Sequence, residues 1–157
     1  MKITLLLNGK TEDDHIIKGF AVYEQRLRRY IGFETVVIPA LKNTKALSID
    51  QQKQKEGELI LKSIQSSDRL ILLDENGKEY NSVGFADMVQ QQMNSGIKNL
   101  VFVVGGPYGF SEEIYQRANG KLSLSKMTFS HQMVRLFFVE QLYRAMTILK
   151  NEPYHHM

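Results

Sequence analysis

Residues 100–113 read "LVFVVGGPYGFSEE", and this stretch decides the fold. Residues 100–104 are all apolar, with no polar alternation. Such a run suits a strand covered on both faces of a sheet. It stops at Gly105, Gly106 and Pro107, and Gly109 follows Tyr108. A plain connector needs one glycine. This turn has more, so something must approach its backbone closely.

Working outward, further apolar runs stand at residues 2–7 ("KITLLL"), 33–41 ("FETVVIPAL", ended by Pro39) and 68–74 ("DRLILLD"). "KLSLSKMTF", residues 121–129, alternates and is expected to be a fifth strand. Between them lie helical patterns. Residues 13–30 place apolar side chains at 16, 17, 20, 23 and 27, with Asp13 or Asp14 as cap. Ser48 opens a polar helix that Gly57 weakens. "ENGKEYNS", residues 75–82, reads as a loop. Residues 83–94 form a helix with Gly96 at its C-terminal cap. A long helix spans about 131–150, followed by "NEPYHHM". Strand and helix alternate throughout, so the expected fold is α/β, a mainly parallel sheet with helices on both faces. The chain, residues 1–157, reads as one domain.

In open α/β sheets ligands sit beyond the carboxyl ends of the strands. Here those ends are "LLDENG", "VVGGPYG" and "LSLSKMTF", which together form the candidate site. The last helix is apolar on more than one side, and neighbouring Phe137 and Phe138 must point in different directions. Its second cover is either the domain's own core or another copy of the chain.

Composition narrows the function. The chain has 157 residues, 43% hydrophobic and 24% charged, as expected of a globular protein. It has no cysteine, which excludes disulfides, thiol nucleophiles and thiolate metal sites, and fits a reducing cytosol. No apolar run is long enough for a signal peptide or membrane span. The net charge of +3 permits an anionic partner such as RNA, although "RLRRY" at 26–30 reads as a solvated helix face. The glycine turn lacks the G-x-G-x-x-G and Walker spacings, and Ser111 lacks a nucleophile-elbow frame. His15, His131, His155 and His156 form no metal-ligand spacing, so no metal is expected, and His131 reads as structural. Two readings remain for a turn without charge: a flat aromatic or purine-bearing ligand lying on bare backbone, or a tight turn that holds no ligand.

The motifs "LLDENGKEYNSVGFA", "FVVGGPYGF", "LSLSKMTFSHQMVRLFFVEQLYRAMTI" and "EPYH" resemble the RlmH family of SPOUT-superfamily methyltransferases, which methylate N3 of a pseudouridine in large-subunit ribosomal RNA. The likeness is strong over residues 68–157. Before that it rests on length and strand–helix order. The resemblance implies a C-terminal deep trefoil knot, a cytoplasmic homodimer, a ribosomal RNA substrate in the large subunit or assembled ribosome, and bent S-adenosyl-L-methionine as cofactor. It implies that Leu73 lines the adenine side, that Gly105, Gly106 and Pro107 form the close turn, and that Leu124, Ser125, Lys126, Met127, Thr128 and Phe129 wrap adenine and ribose. No chemical role falls to Lys126 or Tyr108. The polar groups the motifs offer for catalysis are Arg135, Arg144, Tyr154 and His155. The tail carrying the last two is expected to leave the helix extended after Pro153 and to reach an active site, its own or a partner's. Two alternatives stay open: a non-catalytic RNA-binding protein of the same fold, and a flavodoxin-like nucleotide-binding enzyme.

Overall fold

The computed structural model describes residues 1–156. Its elements run β1 (Lys2–Asn8), α1 (Asp14–Leu27), β2 (Gly32–Ile38), a short 3-10 turn (Thr44–Ala46), α2 (Ile49–Lys62), β3 (Arg69–Glu79), α3 (Ser82–Asn94), β4 (Asn99–Val104), α4 (Glu112–Arg117), β5 (Gly120–Ser123) and α5 (Met133–Leu149). The sheet order is β2-β1-β4-β3-β5, and every pairing is parallel.

The continuous apolar runs have a direct cause. Successive strand residues point to opposite faces. Leu100, Phe102 and Val104 enter the core beneath α1, α3 and α5. Val101 and Val103 enter a second core beneath α2 and α4. Neither face meets water, so no polar alternation survives. In the first core Phe102 packs against Phe138 at 4.8 Å between ring centroids, and Phe85 meets both edge-on.

Helix α2 begins where Ser48 predicts, with a capping box in which Ser48 and Gln51 satisfy each other's backbone. Gly57 does not break it, because α4 packs there: a Cβ would fall 2.7 Å from Ser111 Oγ. Helix α5 lies between α1 and α3. Its broad apolar surface is therefore largely covered within the chain. Phe138 is fully buried, whereas Phe137 is 42% exposed and rests on Phe129.

Three expectations change. Residues 75–79 are not loop but a continuation of β3. After a register shift Lys78 and Glu79 pair with Leu122 and Ser123. A polar segment gains that pairing only from its neighbour strand, so no local pattern announces it. The expected strand over 121–129 stops at Ser123, because Ser123 Oγ donates to Ser125 O and Ser125 Oγ accepts from Met127 N, turning the backbone. Helix α4 was not anticipated, although Ser111 followed by two glutamates is a helix start, and Ser111 Oγ caps Ile114 N.

The Phe102 contact leads to a stability test. Phe102→Ala removes a fully buried ring wedged between Phe85 and Phe138. It is expected to cost about 3–5 kcal/mol in urea unfolding. A loss under about 1 kcal/mol would show that the α5 face does not depend on this stack.

Candidate functional site

The glycine turn follows β4 directly. Gly109 N donates to Gly106 O at 3.3 Å, closing a turn with Pro107 in its second position. Gly109 has φ +84°, which a side chain rarely tolerates. Gly105 and Gly106 are bare for a different reason. A Cβ on Gly105 would lie 2.9 Å from the Phe110 ring, and one on Gly106 would lie 2.4 Å from Glu56 Oε2 and 2.7 Å from Asn8 Nδ2. The chain's own side chains already occupy that space. The expectation that a ligand alone explains the bare turn is corrected on this point.

The other side of the turn opens into a cavity of about 570 Å³, within the usual range for small-molecule sites. Its walls are the end of β3, the turn, and the irregular segment after β5. Leu73, Gly105, Gly106, Pro107, Leu124, Ser125, Met127, Thr128 and Phe129 all line it. Lys126 does not. Its side chain is 86% exposed and points toward Glu79, with 3.9 Å between the charges. Among the lining residues, the sequence reading gave no role to Tyr115 or to the carboxylates of Asp74 and Glu75. Tyr115, on the unanticipated α4, donates its hydroxyl to Asp74 Oδ2, and Asp74 Oδ1 accepts from Asn76 N at 2.8 Å. Glu75 accepts from Thr128 Oγ1 at 3.2 Å, tying one wall to the other.

The charges select a ligand class. Asp74 and Glu75 line the cavity, and among the described residues no lysine or arginine does. Phosphate would meet acid without a counter-charge. A nucleoside bearing a cationic group fits, with Leu73, Leu124 and Phe129 offering apolar surface to its rings.

The four catalytic candidates do not gather at this cavity. Arg135 is 1% exposed and held by four hydrogen bonds: its Nε donates to His131 O at 2.9 Å, Nη1 to Gly9 O and Thr11 Oγ1 at 3.0 Å, and Nη2 to Asn8 O at 3.0 Å. Burial pushes its guanidinium below its ordinary pKa, against an opposing pull from Glu12. Arg135 clasps the end of β1 to the start of α5 and spends four of its five N–H donors on the chain's own oxygens. It is a positioning residue.

Arg144, Tyr154 and His155 do come together, at the other end of α5. Arg144 Nη2 meets Glu140 Oε1 at 2.6 Å, Nη1 lies 3.1 Å from His155 Nδ1, and the guanidinium stacks over the Tyr154 ring at 4.8 Å. Tyr154 donates to Glu140 Oε1 at 2.9 Å and packs on Tyr143 at 4.7 Å. Burial, then hydrogen bonds with Tyr23 and Glu140, push its ionisation upward. Tyr30 donates to Glu152 Oε2 at 2.5 Å. The tail is thus turned back on α1 and α5 instead of leaving extended. Met157, which follows the terminal motif and His156, lies outside the described residues. Arg144 stands ten residues beyond the cavity-lining Val134, which is about 15 Å along the helix.

A family model described as "Predicted SPOUT methyltransferase" matches residues 1–155. The chain belongs to the SPOUT methyltransferase family. Two curated relatives are each named "Ribosomal RNA large subunit methyltransferase H". That from Christiangramia forsetii is 61% identical and that from Bacteroides thetaiotaomicron 62%, each over 99% of both chains. A solved RNA methyltransferase of the TrmH family from Porphyromonas gingivalis is 12% identical, with a TM-score of 0.41 over 89% of this chain and 58% of that one, a likeness too remote to bear on the site. Membership of the SPOUT methyltransferases displaces the flavodoxin-like alternative, in agreement with the acidic cavity wall.

Two tests follow for this SPOUT methyltransferase. Arg135→Met should lower stability by about 3 kcal/mol or more, since several bonds from a charged donor are lost at about 1.5–3 kcal/mol each. Urea unfolding measures it, and a loss below about 1 kcal/mol would contradict the clasp. The second test is alkaline titration. Burial and then the Asp74 bond push the Tyr115 phenol to about 12, and the Glu152 bond with burial pushes Tyr30 to about 12. Unfolded phenols ionise near pH ~10. Between about 10 and 12 the unfolded chain has released protons that the fold retains, so stability is full below that window and falls across it. Tyrosinate absorbance should rise late for these two groups, and Tyr115→Phe should remove one late step.

Proposed function

We propose that this protein is an S-adenosylmethionine-dependent methyltransferase that modifies N3 of a pseudouridine in large-subunit ribosomal RNA, and that it works in the cytoplasm as a homodimer whose cofactor loops form a deep trefoil knot. The observation that carries the reading is near-full-length identity of about 60% to relatives named as large-subunit ribosomal RNA methyltransferases. The cavity supports it, since three strand ends build a site with apolar ring surface, bare backbone and acidic charge.

Bound there, the cofactor supplies a methyl group activated on a sulfonium. The chain's own residues do the rest. The backbone of residues 105–107 and the segment 124–129 fix the nucleoside. Asp74 and Glu75 favour its positive charge, and the apolar walls keep water from the reacting centre. An imide N3–H is a poor nucleophile while protonated, so a nearby group must accept or share its proton. His155 is the candidate acceptor: Arg144 Nη1 donates to its Nδ1, so the ring's own proton sits on Nε2 and the N3 proton is taken at Nδ1 once that contact opens. Arg144 holds its ring at 3.1 Å, and Tyr154 fixes Arg144 from the other side.

Within one chain this cluster lies about 15 Å along α5 from the cavity. The homodimer resolves the separation by bringing one protomer's tail to its partner's cavity. Met127, 78% accessible, lines the cavity, and Phe137, 42% accessible, packs on the cavity-lining Phe129, so both suit such a contact.

A mixed dimer tests the arrangement. One protomer carries His155→Ala and the other Leu124→Arg, which fills its cavity. If tails act across the dimer, one intact site remains and methylation of ribosomes recovers to roughly half of wild type, while each pure variant dimer falls at least about 100-fold. No recovery in a verified mixed dimer would place tail and cavity in the same chain. Wild-type rates from pure His155→Ala would remove the tail from the reaction.

A further inference from the structure

The glycine turn has two sides, and the cofactor accounts for only one. On the other side lies a second cavity of about 580 Å³, at the carboxyl ends of β1 and β2. It shares Gly106, Pro107 and His131 with the first, so the two adjoin at the turn. One wall is α2, which contributes Glu56 and, one turn earlier, Gln52.

Glu56 is the unusual group. It is 6% exposed, yet it is a carboxylate on the cavity wall. Oε2 accepts from Asn8 Nδ2, while Oε1 has no hydrogen-bond partner in the protein. A buried polar atom left unpaired is costly and is rare in native structures. The pair also presses on the turn itself, occupying the space a Gly106 Cβ would need. None of the groups assigned so far uses it. The terminal torsion of a glutamate is broad, so a small rotation presents Oε1 to a ligand without moving the backbone.

The chemistry of the walls selects the ligand. In the depth the buried carboxylate of Glu56 stands with the buried Arg135, which already bonds the chain's own oxygens, whereas Glu12 and Lys10 are exposed at the rim, where Lys10 suits a phosphate. Thr44, Gln52 and Gln132 bring neutral polar groups able to meet carbonyls. A planar base with N–H and C=O groups on its edge, attached to a sugar phosphate, satisfies all of these at once.

We propose that the second cavity receives the target base and that Glu56 Oε1 accepts a hydrogen bond from the base N–H that is not methylated. This rests on the reading of the protein as a ribosomal RNA methyltransferase acting on pseudouridine. A carbon-linked uracil carries two N–H groups, so one can be held by Glu56 while the other meets the methyl donor across the turn. An ordinary uridine has one and cannot do both. Glu56 is then a residue of specificity, and Asn8 its positioning partner.

The experiment uses the full-length protein, S-adenosylmethionine, and ribosomes carrying either pseudouridine or uridine at the target, under single-turnover conditions. Glu56→Gln keeps the shape of the side chain. It should slow methylation of pseudouridine ribosomes by about 10–100-fold, the range for a bond to a charged group, and change the slow uridine rate less than about threefold. Cofactor affinity and melting temperature should hold. Gln52→Trp, which plugs the cavity from the same face of α2 without touching the turn, should abolish methylation with cofactor affinity retained. Equal losses on both ribosomes, or a parallel loss of cofactor affinity, would show Glu56 acting through the turn and overturn the proposal. An unchanged rate on pseudouridine ribosomes would reduce Oε1 to the seat of a structural water and overturn it too. Wild-type protein inactive on pseudouridine ribosomes would instead defeat the functional reading on which the proposal rests.

Discussion

Burial of β4 on both faces and both edges is the constraint on which the site depends. The strand pairs with β1 and β3, and its residues 100–104 are all buried. Its carboxyl end cannot shift without disturbing two cores. The glycine turn therefore springs from a fixed point, with one cavity on either side of it. A turn carried by an edge strand would lack that rigidity, and a site built on rigid elements holds its geometry better.

The same parallel arrangement brings three strand ends to one edge. β3 contributes Leu73 and Asp74, β4 the turn, and β5 the segment through Phe129. Parallel strands need crossover connections, and these return each chain segment to the same end of the sheet. The site is thus assembled from segments up to about fifty residues apart, held by short ties such as Tyr115 to Asp74 and Thr128 to Glu75.

Helix α5 sets the length scale. At its start, Arg135 joins β1 to the helix beside both cavities. At its end, an aromatic and ionic cluster holds the tail. Tyr143 packs with both Tyr23 and Tyr154, and Arg26 lies over both Tyr23 and Tyr143. A straight helix cannot bring its two ends together. The groups suited to proton handling and the cavity suited to a nucleoside are kept apart within one chain, and the proposed homodimer is the arrangement that bridges them.

Much of this was determined by the sequence alone. Unbroken apolar runs at β1, β3 and β4 required a sheet covered on both faces, because nothing else hides every side chain of a strand from water. The glycine turn and the motif after β5 marked the strand ends at which the first cavity opens, because parallel strands leave a crevice beyond their carboxyl ends. Tertiary structure decided what those signals could not carry. Residues 75–79 are strand only because β5 pairs with them. Gly105 and Gly106 are bare because Phe110, Glu56 and Asn8 pack there. Arg135, a catalytic candidate by its motif, spends four of its five donors on backbone and hydroxyl oxygens, and the tail that looked extended is folded against α1. Each depends on contacts between residues distant in the chain. Local composition registers what a residue is able to do, and only its packed neighbours fix what it does.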